Sequence, residues 1–253
     1  MEYVPEEGGL FMKYETIKKC GELGIEFNNI DERITIDFLK RLLRGIIERS
    51  TKYFDETGDH VFIYRERHMH SVICPAIANL TSSYLMELPL KRKPAGEEEY
   101  SGSVDYWVSY RNRSFLIELK HTYFAYRNVE APRRKITEKM EEALDQLRSI
   151  RTDQCRYAAG SDKMLTKMAL LTIVFYEGSK KKISEKNVMK LDFKNIFRKM
   201  LNKTGLMKTS NLLSLWVLDR RLVIPFEYQN KENEMYPAVG FIGEILEKKE
   251  LSN

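Results

Sequence analysis

Two consecutive runs of β-branched and aromatic residues constrain the fold of this chain more than any other stretch. They span residues 103–110 (SVDYWVSY) and 115–121 (FLIELKH). Residues of these types favour extended backbone, so each run predicts a strand. The polar residues 111–114 lie between them, and their asparagine tolerates the left-handed backbone of a tight turn. The sequence therefore predicts a β-hairpin over residues 103–121.

The two-residue period of a strand decides which side chains of this hairpin share a face. On the second strand, Leu116, Glu118 and Lys120 point to one side. A turn of two or four residues brings Asp105 to that side, and we expect it opposite Lys120 and diagonal to Glu118. A three-residue turn would separate the acids unless a bulge restored the register. The hairpin is thus predicted to gather two carboxylates and an ammonium.

Two carboxylates beside a lysine suit a hard divalent cation. Mg²⁺ prefers oxygen ligands, keeps several waters and is usually held by one or two carboxylates together with a substrate phosphate. The metal lowers the pKa of its bound water and so makes a nucleophile near neutral pH. Lys120 can stabilise the charge that develops on the phosphate or orient the attacking water. These parts suit the hydrolysis of a phosphodiester.

Asp105, followed after twelve residues by Glu118-Leu119-Lys120, resembles the core motif of the PD-(D/E)XK nuclease superfamily. The proline that usually precedes the first acid is replaced here by Val104. The resemblance implies an α/β fold with a restriction-endonuclease-like αβββαβ core, in which helices flank a mixed central sheet, with N- and C-terminal additions. It also implies a metal-dependent deoxyribonuclease that uses Mg²⁺, for which Mn²⁺ can substitute.

The resemblance also implies roles for individual residues. Asp105, Glu118 and the Leu119 carbonyl would hold the metal, and Lys120 would act on the water or the phosphate. Glu66 fits the accessory acid of the helix that precedes the sheet, although a glutamate favoured by the helix dipole in a first turn is an equal alternative. Gln146 fits a positioning residue on the helix after the hairpin. The alternative for Gln146 is a side chain that reaches water.

Two other interpretations of the hairpin remain open. Asp105 can cap a turn, and Glu118 with Lys120 can form an exposed ion pair on a solvated sheet face. Two rival functions accompany these interpretations. One is a nucleic-acid-binding protein that keeps the fold without cleaving, whose signature would be a broken acid pair, whereas the pair here is intact. The other is a scaffold for a partner subunit, in which the acid–lysine face would be a surface ion pair. Metal-dependent cleavage separates the nuclease from both.

Apolar periodicity predicts the elements around the hairpin. From residue 34, apolar residues recur at helical spacing up to a turn signal at 57–59. A second helix is expected to reach about residue 83, kinked or divided by Pro75. Residues 84–90 predict the first strand of the sheet, with Pro89 indicating an edge or strand end. The basic run 91–93 predicts a charged, solvated loop.

A nearly all-apolar run at residues 165–176 predicts a central strand. We divide the chain into a mostly helical N-terminal extension, residues 1–60, which packs on the core, and a nuclease domain, residues 61–253. The order of elements over residues 62–176 is expected to be helix, three strands, helix, strand.

Composition bounds the partners and the compartment. The net charge of +5 is compatible with a polyanion, which the resemblance suggests is DNA, with RNA left open. Three widely spaced cysteines indicate reduced thiols in the cytoplasm. No apolar run is long enough to span a membrane. Cleavage of both strands of a duplex would imply a homodimer.

Overall fold

The structure is a computed structural model that describes residues 12–127, 133–159, 164–179, 183–227 and 233–246. These residues form a mixed α/β fold, in which helices flank a nine-stranded sheet. No helix in the described ranges is long and apolar enough to cross a bilayer.

The helices are α1 (Arg33–Thr57), α2 (Glu66–Ala78), α3 (Arg133–Arg148), α4 (Thr152–Ala159), α5 (Glu185–Val188), α6 (Phe193–Thr204) and α7 (Leu206–Thr209). The strands are β1 (Lys13–Ile17), β2 (Gly21–Phe27), β3 (Tyr84–Arg92), β4 (Tyr100–Tyr110), β5 (Arg113–Ala125), β6 (Met164–Ser179), β7 (Leu212–Leu218), β8 (Phe226–Glu227) and β9 (Asn233–Leu246). Short 3₁₀ turns occupy Val61–Ile63 and Arg220–Leu222.

The sheet has the strand order β1-β2-β7-β9-β6-β5-β4-β3, and β8 pairs with β9. The β5–β6 pair is parallel and the other pairs are antiparallel. A parallel pair needs a crossover, which α3 and α4 provide. Along the chain, α2 is followed by β3, β4 and β5, then by α3, α4 and β6. This is the predicted order of elements with α4 added.

Burial and proline position agree with two strand predictions. β6 lies between β5 and β9, and its residues 166–175 are all buried, as the apolar run predicted. β3 lies at one end of the sheet, which agrees with the edge that Pro89 indicated. β6 is therefore a central strand of the sheet, and β3 is an end strand whose Arg92 also forms an isolated backbone bridge with Ile150.

The end of the first helix was predicted correctly, but the end of the second was not. α1 ends at Thr57, and Gly58 caps it with a φ of 71°, the left-handed conformation that follows many helices, as the turn signal indicated. α2 starts at Glu66 and ends at Ala78, so the prediction that it reaches residue 83 is wrong. Residues 81–83 instead bond to β4, where Thr81 Oγ1 donates to the Ser109 carbonyl over 2.8 Å. Pro75 lies inside α2 without dividing it.

The described part of segment 1–60 contains strands as well as a helix. β1 and β2 form a hairpin, and β2 pairs with β7 in the main sheet. Trp216 of β7 donates its indole N–H to the Cys20 carbonyl over 2.9 Å. Segment 1–60 therefore supplies α1 and also two strands of the main sheet, whose other strands come from residues 84–246.

β4 and β5 pair only near their turn. The turn consists of Arg111 and Asn112, and the ladder runs from Tyr110 and Arg113 to Tyr106 and Ile117. Beyond that level, in the described ranges, residues 100–104 pair with β3 and residues 118–125 pair with β6. The β4–β5 ladder therefore ends at this level, and the two strands take different partners beyond it.

Candidate active site

Asp105 and Glu118 lie at the point where β4 and β5 diverge. One further step of the ladder brings Asp105 level with Glu118, so the prediction that Asp105 lies opposite Lys120 is wrong. The reason is that the turn has two residues rather than four. Asp105 Oδ2 accepts a hydrogen bond of 2.7 Å from the Leu119 N–H, which ties the first acid to the backbone of the second strand.

Glu118 and Lys120 are buried, with 3% and 6% of their surface exposed. Lys120 Nζ lies 3.8 Å from Glu118 Oε1. The interpretation of these residues as an ion pair on a solvated face is therefore wrong. Burial, with a smaller contribution from the Asp105 carboxylate, raises the pKa of Glu118 to about 7, against the opposing effect of nearby cations.

Glu66 is the first residue of α2 and is half-buried. Burial is the largest influence and raises its pKa; Lys120 lowers this pKa and Asp105 raises it. Glu66 therefore lies in a first helical turn and also within electrostatic range of the acid pair and the lysine.

α3 brings polar side chains to the same region. Its Glu142 carboxylate lies 3.9 Å from Lys120 Nζ and also pairs with Lys139. One turn later, the Oε1 atom of Gln146 is buried and has no hydrogen-bond partner among the described residues. Buried polar atoms are nearly always satisfied, so this oxygen is available to a water molecule or a ligand.

Arg92 is the residue of the site that the sequence analysis missed. We expected a solvated loop over residues 91–93, but Arg92 ends β3 and is only 2% exposed. Its Nη2 lies 3.2 Å from Glu118 Oε2. A signal was present, because Leu88, Leu90 and Arg92 alternate along one face of the strand and all three are buried.

No family model, curated protein or solved structure matches this chain. The resemblance to the PD-(D/E)XK superfamily therefore depends on Asp105, Glu118 and Lys120, on the strands that carry them and on the contacts described above.

The donor set fits a cation that needs few protein ligands. No group of three or more His, Cys, Asp or Glu side chains in the described ranges is arranged to hold a metal ion. Mg²⁺ needs only one or two carboxylates, because water and substrate oxygens complete its shell. Asp105 and Glu118 supply two, and a cation beside them would offset the repulsion that contributes to the raised pKa of Glu118.

Proposed function

We propose that this protein is a Mg²⁺-dependent nuclease that hydrolyses phosphodiester bonds in DNA. The observation that carries the proposal is the pair of carboxylates, Asp105 and Glu118, at the divergence of β4 and β5, with the buried Lys120 beside Glu118. Two acids and one amine in one place are the groups that metal-assisted hydrolysis of a phosphodiester needs.

Each residue has a role in this proposal. Asp105 and Glu118 would hold the cation, with the Leu119 carbonyl as a further ligand. When bound, Mg²⁺ supplies an acidified water molecule as nucleophile. Lys120 would stabilise the charge on the phosphate or orient that water, and its burial would strengthen its field. Glu66 would be an accessory acid, and Gln146 would position water through its unsatisfied amide oxygen.

The element order supports a restriction-endonuclease-like core. α2, the antiparallel β3–β4–β5 unit, α3 and the parallel strand β6 follow the αβββαβ order that the resemblance implies. In this proposal, α1 with β1 and β2 is an N-terminal addition, and the elements after β6 are a C-terminal addition. Cleavage of both duplex strands would use two such centres in a homodimer.

One observation favours an alternative function, a nucleic-acid-binding or scaffold protein that does not cleave. Both oxygens of Glu118 already face cations of the chain, since Oε2 contacts Arg92 and Oε1 faces Lys120. The charge of Glu118 is therefore offset without a metal. The two functions differ in one measurable property, which is cleavage that requires a divalent cation.

The test is incubation of the purified protein with plasmid, linear duplex, single-stranded DNA and RNA, with Mg²⁺, with Mn²⁺ or with EDTA. We expect cleavage of DNA with either cation and none with EDTA. Asp105→Asn and Lys120→Met should each lower the rate by about 100-fold or more, because each removes a group that acts on the reacting atoms.

Two matched variants control for the loss of a charge. Asp145→Asn changes an exposed acid of α3, and Lys199→Met changes an exposed lysine of α6. Both should retain the wild-type rate. Full activity of Asp105→Asn or Lys120→Met would refute the site, and nucleic-acid binding without cleavage under any of these conditions would favour the alternative.

A further inference from the structure

We infer that Arg92 is a positioning residue of the candidate centre, which holds Glu118 and the β4 backbone in the arrangement that a divalent cation needs. The inference rests on the proposed function. Arg92 is separated by 26 residues from Glu118 and lies on the edge strand, so its role is visible only in the folded chain.

The guanidinium of Arg92 joins the three elements that carry the candidate site. It contacts Glu118 Oε2 on β5 over 3.2 Å and donates to the Ser103 carbonyl on β4. It also donates to the Gln146 carbonyl at the end of α3 and to Ser149 Oγ over 3.4 Å. Ser103 is two residues before Asp105, so one side chain contacts Glu118, the strand that carries Asp105 and the Gln146 backbone.

Arg92 lies where β4 and β5 no longer pair, and its side chain connects the two strands there. β4 and β5 have separated at this level, and no ladder pairs residues 100–104 with β5. The planar fork of an arginine offers five N–H donors, so it can bond to several groups in this gap at once. A lysine has a compact charge and cannot reproduce this set of contacts.

Arg92 also decides which oxygen of Glu118 faces the site. Arg92 Nη2 lies 3.2 Å from Oε2, whereas Lys120 Nζ lies farther away, at 3.8 Å from Oε1. Oε1 has the more distant cation of the chain, so it is the oxygen that a metal ion would bind. Groups that orient a metal-binding carboxylate typically change metal affinity by about 10- to 100-fold when they are removed.

Gly102 provides a second way to disturb Arg92. A Cβ atom at this position would lie 2.9 Å from both Cδ and Nε of Arg92, which is too close for the present conformation. Because contacts hold the guanidinium end, the stem of the side chain cannot simply swing away. Gly102→Ala should therefore displace Arg92 while leaving its charge unchanged.

The experiment measures Mn²⁺ affinity of the full chain by calorimetry, without nucleic acid, at a temperature where thermal unfolding shows each variant to be folded. Arg92→Met should bind Mn²⁺ about 10- to 100-fold more weakly than the wild type. Arg92→Lys should recover part of the loss, because it restores the charge without the fork. Gly102→Ala should also weaken binding, by several-fold.

Lys93→Met is the matched control, because it removes a neighbouring exposed cation and should leave the affinity unchanged. A merely structural role for Arg92 would change thermal stability but not the affinity of the folded protein. Wild-type affinity in Arg92→Lys and Gly102→Ala would overturn the inference even if Arg92→Met fails to fold. A wild-type protein that binds no Mn²⁺ would instead refute the proposed function, and the inference with it.

Discussion

Glu118 has surroundings unlike those of an ordinary surface glutamate. It is 3% exposed, lies level with a second carboxylate and has a cation near each of its oxygens. Burial raises its pKa to about 7, and Arg92 and Lys120 limit the rise. The residue is therefore poised between its protonated and ionised forms at neutral pH, and a bound divalent cation would favour the ionised form.

The raised pKa predicts a pH dependence of stability in the metal-free protein. The folded state binds the proton of Glu118 more tightly than the unfolded chain does, so the free energy of unfolding should fall as pH rises from about 4.5 to about 7. The full contribution is roughly 3 kcal/mol. Urea unfolding in EDTA at several pH values should show this loss in the wild type, and Glu118→Gln should lack it.

A second buried group, His60, also makes stability depend on pH. The wild type must therefore be compared with Glu118→Gln, in which the contribution of His60 is the same. Burial lowers the pKa of His60 to about 4, and its Nε2 lies 2.7 Å from the Leu222 carbonyl. Stability from His60 is lost as pH falls from about 6.5 to about 4, which opposes the effect of Glu118. The informative quantity is the difference between wild type and variant at each pH. A constant difference between pH 4.5 and pH 7 would contradict the prediction.

At the scale of elements, α1 stabilises the sheet through aromatic packing. Phe38 is fully buried, and its ring stacks on that of Phe115 in β5 with centroids 4.2 Å apart. It also contacts the ring of Tyr110 at the end of β4. α1 therefore covers the hairpin near its turn, where β4 and β5 are still paired.

Phe38→Ala should lower the free energy of unfolding by about 3–5 kcal/mol, because it removes buried apolar surface and leaves a cavity. Urea unfolding followed by circular dichroism gives the value. Tyr157→Ala is the matched control, since this ring of α4 is 75% exposed and its loss should cost less than about 0.5 kcal/mol. A similar small effect for Phe38→Ala would show that α1 contributes little to the stability of the hairpin.

At the scale of the whole molecule, one sheet runs from β1 to β3 and includes strands from both predicted domains. Leu23 of β2 pairs with Trp216 of β7, and both are buried. A continuous core of this kind favours cooperative unfolding, in which segment 1–60 does not melt separately.

A single tryptophan can report on this junction. The chain has two tryptophans, and Trp107→Phe leaves Trp216 as the only one. Its fluorescence and the far-UV circular dichroism should change at the same urea concentration, within error. Two separate transitions, with Trp216 responding before most of the secondary structure is lost, would instead favour the division of the chain at residue 60.

Some parts of the fold were predictable because they depend on short stretches of sequence. The length of α1 follows from apolar residues at helical spacing and a glycine at its end, and the burial of β6 follows from its apolar run. The length of the hairpin turn was not predictable in the same way. Arg113 was expected in the turn, but its guanidinium bonds to Glu32 and Thr166, and this long-range contact draws it into the ladder.

The sequence by itself determined that Glu118 and Lys120 share one face of their strand, because strand alternation is a local property. Asp105 joins that face because the turn has two residues, and the long-range contacts of Arg113 favour this turn. Only the tertiary structure decided that β4 and β5 stop pairing at the acids, that Arg92 contacts both strands there and that β2 pairs with β7. Each of these depends on residues that are distant in sequence, such as Arg92 and Gln146. A local sequence pattern does not predict which distant segments will contact each other, because those contacts depend on the packing of the whole core.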